Sequence, residues 1–190
     1  MKKIYLVLFS LLSLLSAQAQ NDYFFPGKKF NPNILPPDAF LGYSIGTHHT
    51  RYDQLAAYFE YLSTVSDRVK YQTTGRTYEY RPQLMVLFSS PENISNLESI
   101  RKQHLVLTDP NQAMPEVKTM PVVMQLGYNV HGNEASGGEA AILTAYYLAA
   151  CQDFAVEAML KQAVVFIEPV INPDGRDRFV NWVNMHKGMP

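Results

Sequence analysis

Two short polar clusters stand out, His131-Gly132-Asn133-Glu134, whose residue types can ligate a metal ion, and Asn172-Pro173-Asp174-Gly175. The spacing of three puts the imidazole of His131 and the carboxylate of Glu134 on the same side of one tight turn, so both can reach a single cation. Zinc accepts this mixture of nitrogen and oxygen donors at roughly 2.0–2.2 Å. Gly132 removes side-chain bulk beside such an ion, and Gly137 and Gly138 free the backbone that leads onward. Alone, His-x-x-Glu is a short and common pattern. It reads equally well as a solvated loop histidine with a glutamate that favours a helix N-terminus through the dipole. Asn172-Pro173-Asp174-Gly175 is a turn by composition, because proline fixes one dihedral and Asn, Asp and Gly tolerate unusual ones.

The placement of the clusters adds to their chemistry. Each comes directly after an apolar, strand-like segment, residues 121–128 for the first and residues 163–170 for the second. Between them lie residues 139–150, apolar on nearly every side and so read as a buried helix, and a shorter helix over residues 153–162. Strand–helix–strand order implies a parallel pair with a right-handed crossover. In an open α/β sheet, ligands bind at the carboxyl ends of the strands, so neighbouring strands would bring both clusters to one crevice.

Upstream, Leu55, Phe59, Leu62 and Val65 recur at helical spacing, with Thr50 and Asp53 as a capping pair. Residues 70–76 and 83–89 read as strands. Ser90-Pro91-Glu92 starts a helix over residues 92–104, and residues 108–119 form a loop. The fold class is therefore α/β.

Other candidates for chemistry have plainer readings. Arg176 and Arg178 could hold carboxylates but read more simply as helix-surface arginines. His186 lies in a stretch resembling a helix that bears Phe179, Trp182 and Val183. His48 and His49 read as loop residues, and His104 closes a helix where a cation suits the dipole. Glu139 and Glu168 could approach the crevice, although no spacing argument supports either. Cys151 is the sole cysteine, so an internal disulfide is excluded, and its apolar neighbours suit a small buried hydrophobe.

Composition narrows the partners. The chain is 47% hydrophobic and 17% charged, with sixteen basic against seventeen acidic residues and no basic run beyond Lys28-Lys29. Nucleic acid is not an expected partner. Residues 1–19 have a basic start, an apolar run and Ala17-Gln18-Ala19, which together read as a secretory signal cleaved after Ala19. The apolar run is shorter than the ~20 residues of a spanning helix, so no membrane span is expected in the mature chain. Export to the periplasm or outside the cell is the expected outcome. Residues 20–44, rich in Pro, Asn, Gly and aromatics, read as an extended lead-in.

Taken together, the segment from Gly127 to Gly137 and Asn172-Pro173-Asp174-Gly175-Arg176-Asp177-Arg178 resembles the zinc metallocarboxypeptidase family of carboxypeptidase A type. The helix near residues 52–65 and Ser89-Ser90-Pro91-Glu92-Asn93 resemble its bacterial exported branch, and the likeness covers residues 45–190. The resemblance implies a mixed, partly parallel sheet flanked by helices, of the phosphorylase/hydrolase-type architecture. It implies peptide or protein substrates and release of C-terminal amino acids. It also implies one Zn2+ held by His131, Glu134 and a later histidine. That histidine, the arginine that polarises the scissile carbonyl, the substrate-gripping Asn-Arg pair and the general-base glutamate are all expected beyond Pro190. The chain is thus read as the truncated N-terminal part of such a domain and as inactive alone. Two other readings remain open: a zinc amidohydrolase of aspartoacylase or succinylglutamate desuccinylase type, and a non-catalytic peptide-binding module.

Overall fold

The computed structural model describes residues 23–188; the expected signal segment and its cleavage point lie outside the described residues. Four strands form one sheet in the order β1-β2-β4-β3: β1 (Val69–Arg76), β2 (Pro82–Phe88), β3 (Val122–Gly127) and β4 (Ala163–Glu168). β1 and β2 form an antiparallel hairpin, β2 pairs antiparallel with β4, and β3 runs parallel to β4 from Val122↔Ala163 to Gly127↔Glu168. The sheet is mixed and partly parallel, as expected. The two strands that precede the polar clusters are direct neighbours.

The chain alternation that makes β2 a strand also sets its buried face. Leu84, Val86 and Phe88 point into the core, while the intervening residues are only half covered. β4 is buried along most of its length, which is why it reads as a continuous apolar run. Helices α2 (Tyr52–Val65) and α5 (Ala135–Ala150) complete that core. Leu55, Tyr58, Phe59 and Leu62 of α2 meet Ala141, Ile142, Ala145 and Ala149 of α5 and Val165 and Ile167 of β4 in a single cluster. Small alanines on α5 let its backbone come close to its neighbours.

Before α2, the lead-in includes a short helix, α1 (Pro37–Leu41), rather than extended chain throughout. Pro37 at its first position and Gly42 in the left-handed region at its end fix both limits. Phe30 stacks on Tyr146 at 4.6 Å and Phe25 on Tyr147 at 5.4 Å, while Asn31 N–H donates to the Ala150 carbonyl. The lead-in therefore straps the C-terminal end of α5, and it buries Cys151 there.

Two helix boundaries differ from the sequence expectation. The single helix over residues 92–104 is two helices, α3 (Pro91–Ser95) and α4 (Leu97–Val106), interrupted at Asn96. Asn96 Nδ2 donates to the Glu92 carbonyl, the side-chain competition with backbone that makes asparagine a poor interior residue. Its start is as expected, with Ser90 Oγ accepting from Asn93 N–H. The expected Thr50–Asp53 cap of α2 does not form: Arg51 is the N-cap, and Thr50 N–H instead donates to Glu139 Oε1 at 2.7 Å. Helix α6 (Phe154–Gln162) leads into β4, and α7 (Pro173–His186) comes after it.

Candidate metal centre

The site begins where β3 ends. Tyr128 N–H donates to the Glu168 carbonyl, Ile171 N–H to the Tyr128 carbonyl and Asn172 N–H to the Asn129 carbonyl, at 2.9, 3.0 and 3.2 Å. These bonds continue the β3–β4 pairing past the sheet and bring both polar clusters together. Asn129, with φ of +52°, then turns the chain; asparagine tolerates this left-handed conformation better than most residues.

Asn129 is buried, and its side chain organises the His131–Glu134 turn. Its Nδ2 donates to the carbonyls of His131 at 2.5 Å and of Glu134 at 3.2 Å. The turn is closed by Glu134 N–H donating to the His131 carbonyl, and by His131 N–H donating to Glu134 Oε2, both at 3.1 Å. The Glu134 carboxylate is thus folded back toward His131, and both residues are exposed. Gly132 between them is buried against the second cluster. A Cβ there would lie 1.9 Å from the Gly175 carbonyl carbon and 2.3 Å from Arg176 N. Glycine is required here by a backbone-to-backbone approach, rather than by space beside an ion.

The second cluster is the first turn of a helix rather than a free turn. Asn172 is the N-cap of α7, with its Oδ1 accepting from Gly175 N–H at 2.9 Å, and Pro173 occupies the first helical position. Its composition signals a turn because helix starts and turns use the same residues. Between the clusters opens a cleft of about 520 Å³, lined among others by His131, Asn133, Asn172, Arg178, Phe179 and Trp182.

Arg176 corrects the sequence reading. Expected on the helix surface, it is fully buried beneath the His131–Glu134 turn. Its Nη2 donates to both oxygens of Glu139 at 2.8 Å and to the Thr50 carbonyl at 2.9 Å. Its Nη1 donates to Asn129 Oδ1 at 3.1 Å and to the Ala135 carbonyl at 3.2 Å, and its Nε to the Thr50 carbonyl at 3.2 Å. Glu139 therefore does not face the crevice but pairs with Arg176. A signal for this is present in the sequence: Glu139 is the only charged residue of α5, and a carboxylate on an otherwise apolar helix needs a cationic partner. Arg178 does remain exposed, 3.6 Å from Glu79.

The acids of the second cluster have a structural task. Arg81 donates to Asp174 at 2.8 Å and to Asp177 at 2.9 Å, Thr77 Oγ1 donates to Asp174, and Tyr52 N–H donates to Asp177. This staples the β1–β2 loop and the start of α2 to α7. Burial works to raise the Asp174 carboxyl, but the bonds from Thr77 and Arg81 outweigh it and hold it below the usual carboxylate value.

The other histidines lie apart from the turn. His186 Nδ1 sits 2.7 Å from the Trp182 carbonyl of its own helix, and His104 Nε2 2.9 Å from the Pro121 carbonyl. His48 lies beside Thr47, and His49 packs its ring against Phe179. Glu168 accepts from Gln125. Among the described residues, no group of three or more His, Cys, Asp or Glu converges. The residue types of His131 and Glu134 nevertheless fit a zinc ion as a partial donor set: an imidazole and a carboxylate on one braced turn, with His131 lining the cleft.

Residues 55–187 match the sequence profile of the zinc carboxypeptidase family, and the chain belongs to that family. Membership makes it part of a hydrolase lineage that uses zinc. No curated protein sequence gives a significant match. Among solved structures, thrombin activatable fibrinolysis inhibitor superposes with a TM-score of 0.49 at 16% identity, over 87% of this chain and 33% of that one. Carboxypeptidase A from Helicoverpa armigera gives 0.49 at 20% identity, over 69% and 28%. This chain spans about a third or less of the length of those proteins. Likenesses this distant add no weight to the family match. Among the described residues, no helix is long and apolar enough to cross a membrane.

Proposed function

We propose that His131 and Glu134 are two protein ligands of a catalytic zinc ion, and that the chain supplies the first half of a metallocarboxypeptidase site acting on peptide C-termini. The observation that carries this reading is the braced turn itself. Two residues of the right chemistry occupy one loop at the carboxyl end of a parallel strand, and His131 lines the cleft beside it. When bound, the metal supplies Lewis acidity for a peptide carbonyl and for a water molecule. The residues of this chain hold and orient. Asn129 fixes the carbonyls of both donor residues, and the His131 N–H keeps the Glu134 carboxylate turned toward His131. Phe179 and Trp182 offer an apolar wall and Arg178 a cation to a peptide in the cleft.

A catalytic zinc site takes three protein ligands and an open position. With two donors braced together among the described residues, this chain binds zinc weakly and does not turn over peptide. Metal analysis after dialysis, paired with a C-terminal peptide hydrolysis assay, tests both statements. Sub-stoichiometric zinc without turnover is expected, and tightly held stoichiometric zinc with turnover would contradict them. Export completes the proposal: residues 1–19 are removed, and N-terminal sequencing of the product should begin at Gln20.

A further inference from the structure

We infer that Arg176 is the positioning residue of the metal-binding turn, acting through Asn129 on both proposed donors. This rests on His131 and Glu134 being ligands, and it assigns a role to a buried ion pair that the metal chemistry itself leaves unused. Every nitrogen of the guanidinium is engaged. One edge is anchored by Glu139 and the Thr50 carbonyl, so its orientation is set by groups outside the turn. The other edge donates to Asn129 Oδ1 and to the Ala135 carbonyl immediately after Glu134. Asn129 passes the constraint on, because its amide nitrogen holds the carbonyls of His131 and Glu134 while its oxygen is fixed by Arg176.

The packing is shaped for this arrangement. A Cβ on Gly138 would lie 2.8 Å from Arg176 Cζ, so glycine lets the guanidinium lie flat on the first turn of α5. A Cβ on Gly137 would lie 3.1 Å from Asn129 N, so the same turn is pressed against the asparagine. Arg176 comes directly after the second cluster, so the relay also links the two clusters: α7 carries the cation, and the β3–α5 loop carries the donors. Groups that orient metal ligands from behind change affinity by roughly 10–100-fold when removed.

Two substitutions separate this role from simple packing. Arg176→Lys keeps a cation for Glu139 and Thr50 but lacks the planar second edge that reaches Asn129 and Ala135. Asn129→Gly keeps the left-handed backbone and removes only the relay. The probes are Zn2+, by competition with a chromophoric chelator, and Co2+, by its visible absorption bands, each read beside the thermal melt of the same protein.

The expected result is a melt within a few degrees of wild type, at least tenfold weaker Zn2+ binding and altered Co2+ bands for both variants, with binding abolished in His131→Ala. If Arg176→Lys does not fold, Asn129→Gly decides by the same readings. Folded variants that bind Zn2+ within twofold of wild type, while His131→Ala loses it, would overturn the positioning role alone. Wild-type binding by His131→Ala would remove the metal reading, and the positioning role with it.

Discussion

Gly132 shows how little freedom the His131–Glu134 turn has. Its absent side chain leaves room for the backbone of Gly175 and Arg176, and a methyl group there would overlap main-chain atoms that cannot rotate away. Gly132→Ala should cost about 3 kcal/mol, the upper end of overpacking penalties, measured by denaturant unfolding. Asn129 offers a finer test, because replacement by alanine loses the same hydrogen bonds as replacement by glycine. Asn129→Ala must also hold a left-handed φ, so it should be less stable than Asn129→Gly by about 1 kcal/mol. Equal stability of the two would count against strain at this position. That His131 and Glu134 share one turn is legible from their spacing. Their supports are not, because Arg176 is separated from Glu139 by a whole crossover unit and only the fold reveals that they meet. The lone charge on an apolar α5 announces that a partner exists without naming it.

Elements position the site by being tied to one another at their ends. α7 is joined to the β1–β2 loop by Arg81, which bridges Asp174 and Asp177, and to α2 by the bond from Tyr52 N–H to Asp177. The Asp174 carboxyl is held below its ordinary value in the folded state. Its contribution is therefore present above the unfolded value of about 3.9 and is lost as pH falls through the lower folded value. Asp174→Asn should cost about 1–2 kcal/mol at neutral pH, and it should flatten the loss of stability of the wild type below about pH 4. An unchanged acid limb in the variant would contradict this assignment. Strands and long helices are readable from periodicity because their faces are set by burial. The break at Asn96 is not, because a single asparagine tolerates a helix or interrupts it depending on tertiary contacts. The second cluster reads as a turn for a related reason: only the chain beyond Gly175 decides whether Asn172 caps a helix.

At the scale of the molecule, β3 is an edge strand of the described sheet, with Val122, Val123 and Met124 exposed at 60%, 42% and 48%. Unpaired backbone beside apolar side chains is a template for strand addition. This chain should therefore scatter light on concentration, and Met124→Lys should raise the concentration at which scattering appears. No difference between the two proteins would locate the association elsewhere. The parallel β3–β4 pair and the meeting of the two polar clusters at one crevice are legible from strand–helix–strand order, since adjacent parallel strands present their carboxyl ends together; the antiparallel β1–β2 part of the sheet is not. The central claim is that His131 and Glu134 jointly hold zinc, and calorimetric titration of Zn2+ into this chain and into its His131→Ala and Glu134→Ala variants tests it most directly. The account predicts one weak site in the wild type and loss of detectable binding in each variant. Binding that survives either substitution unchanged would contradict it.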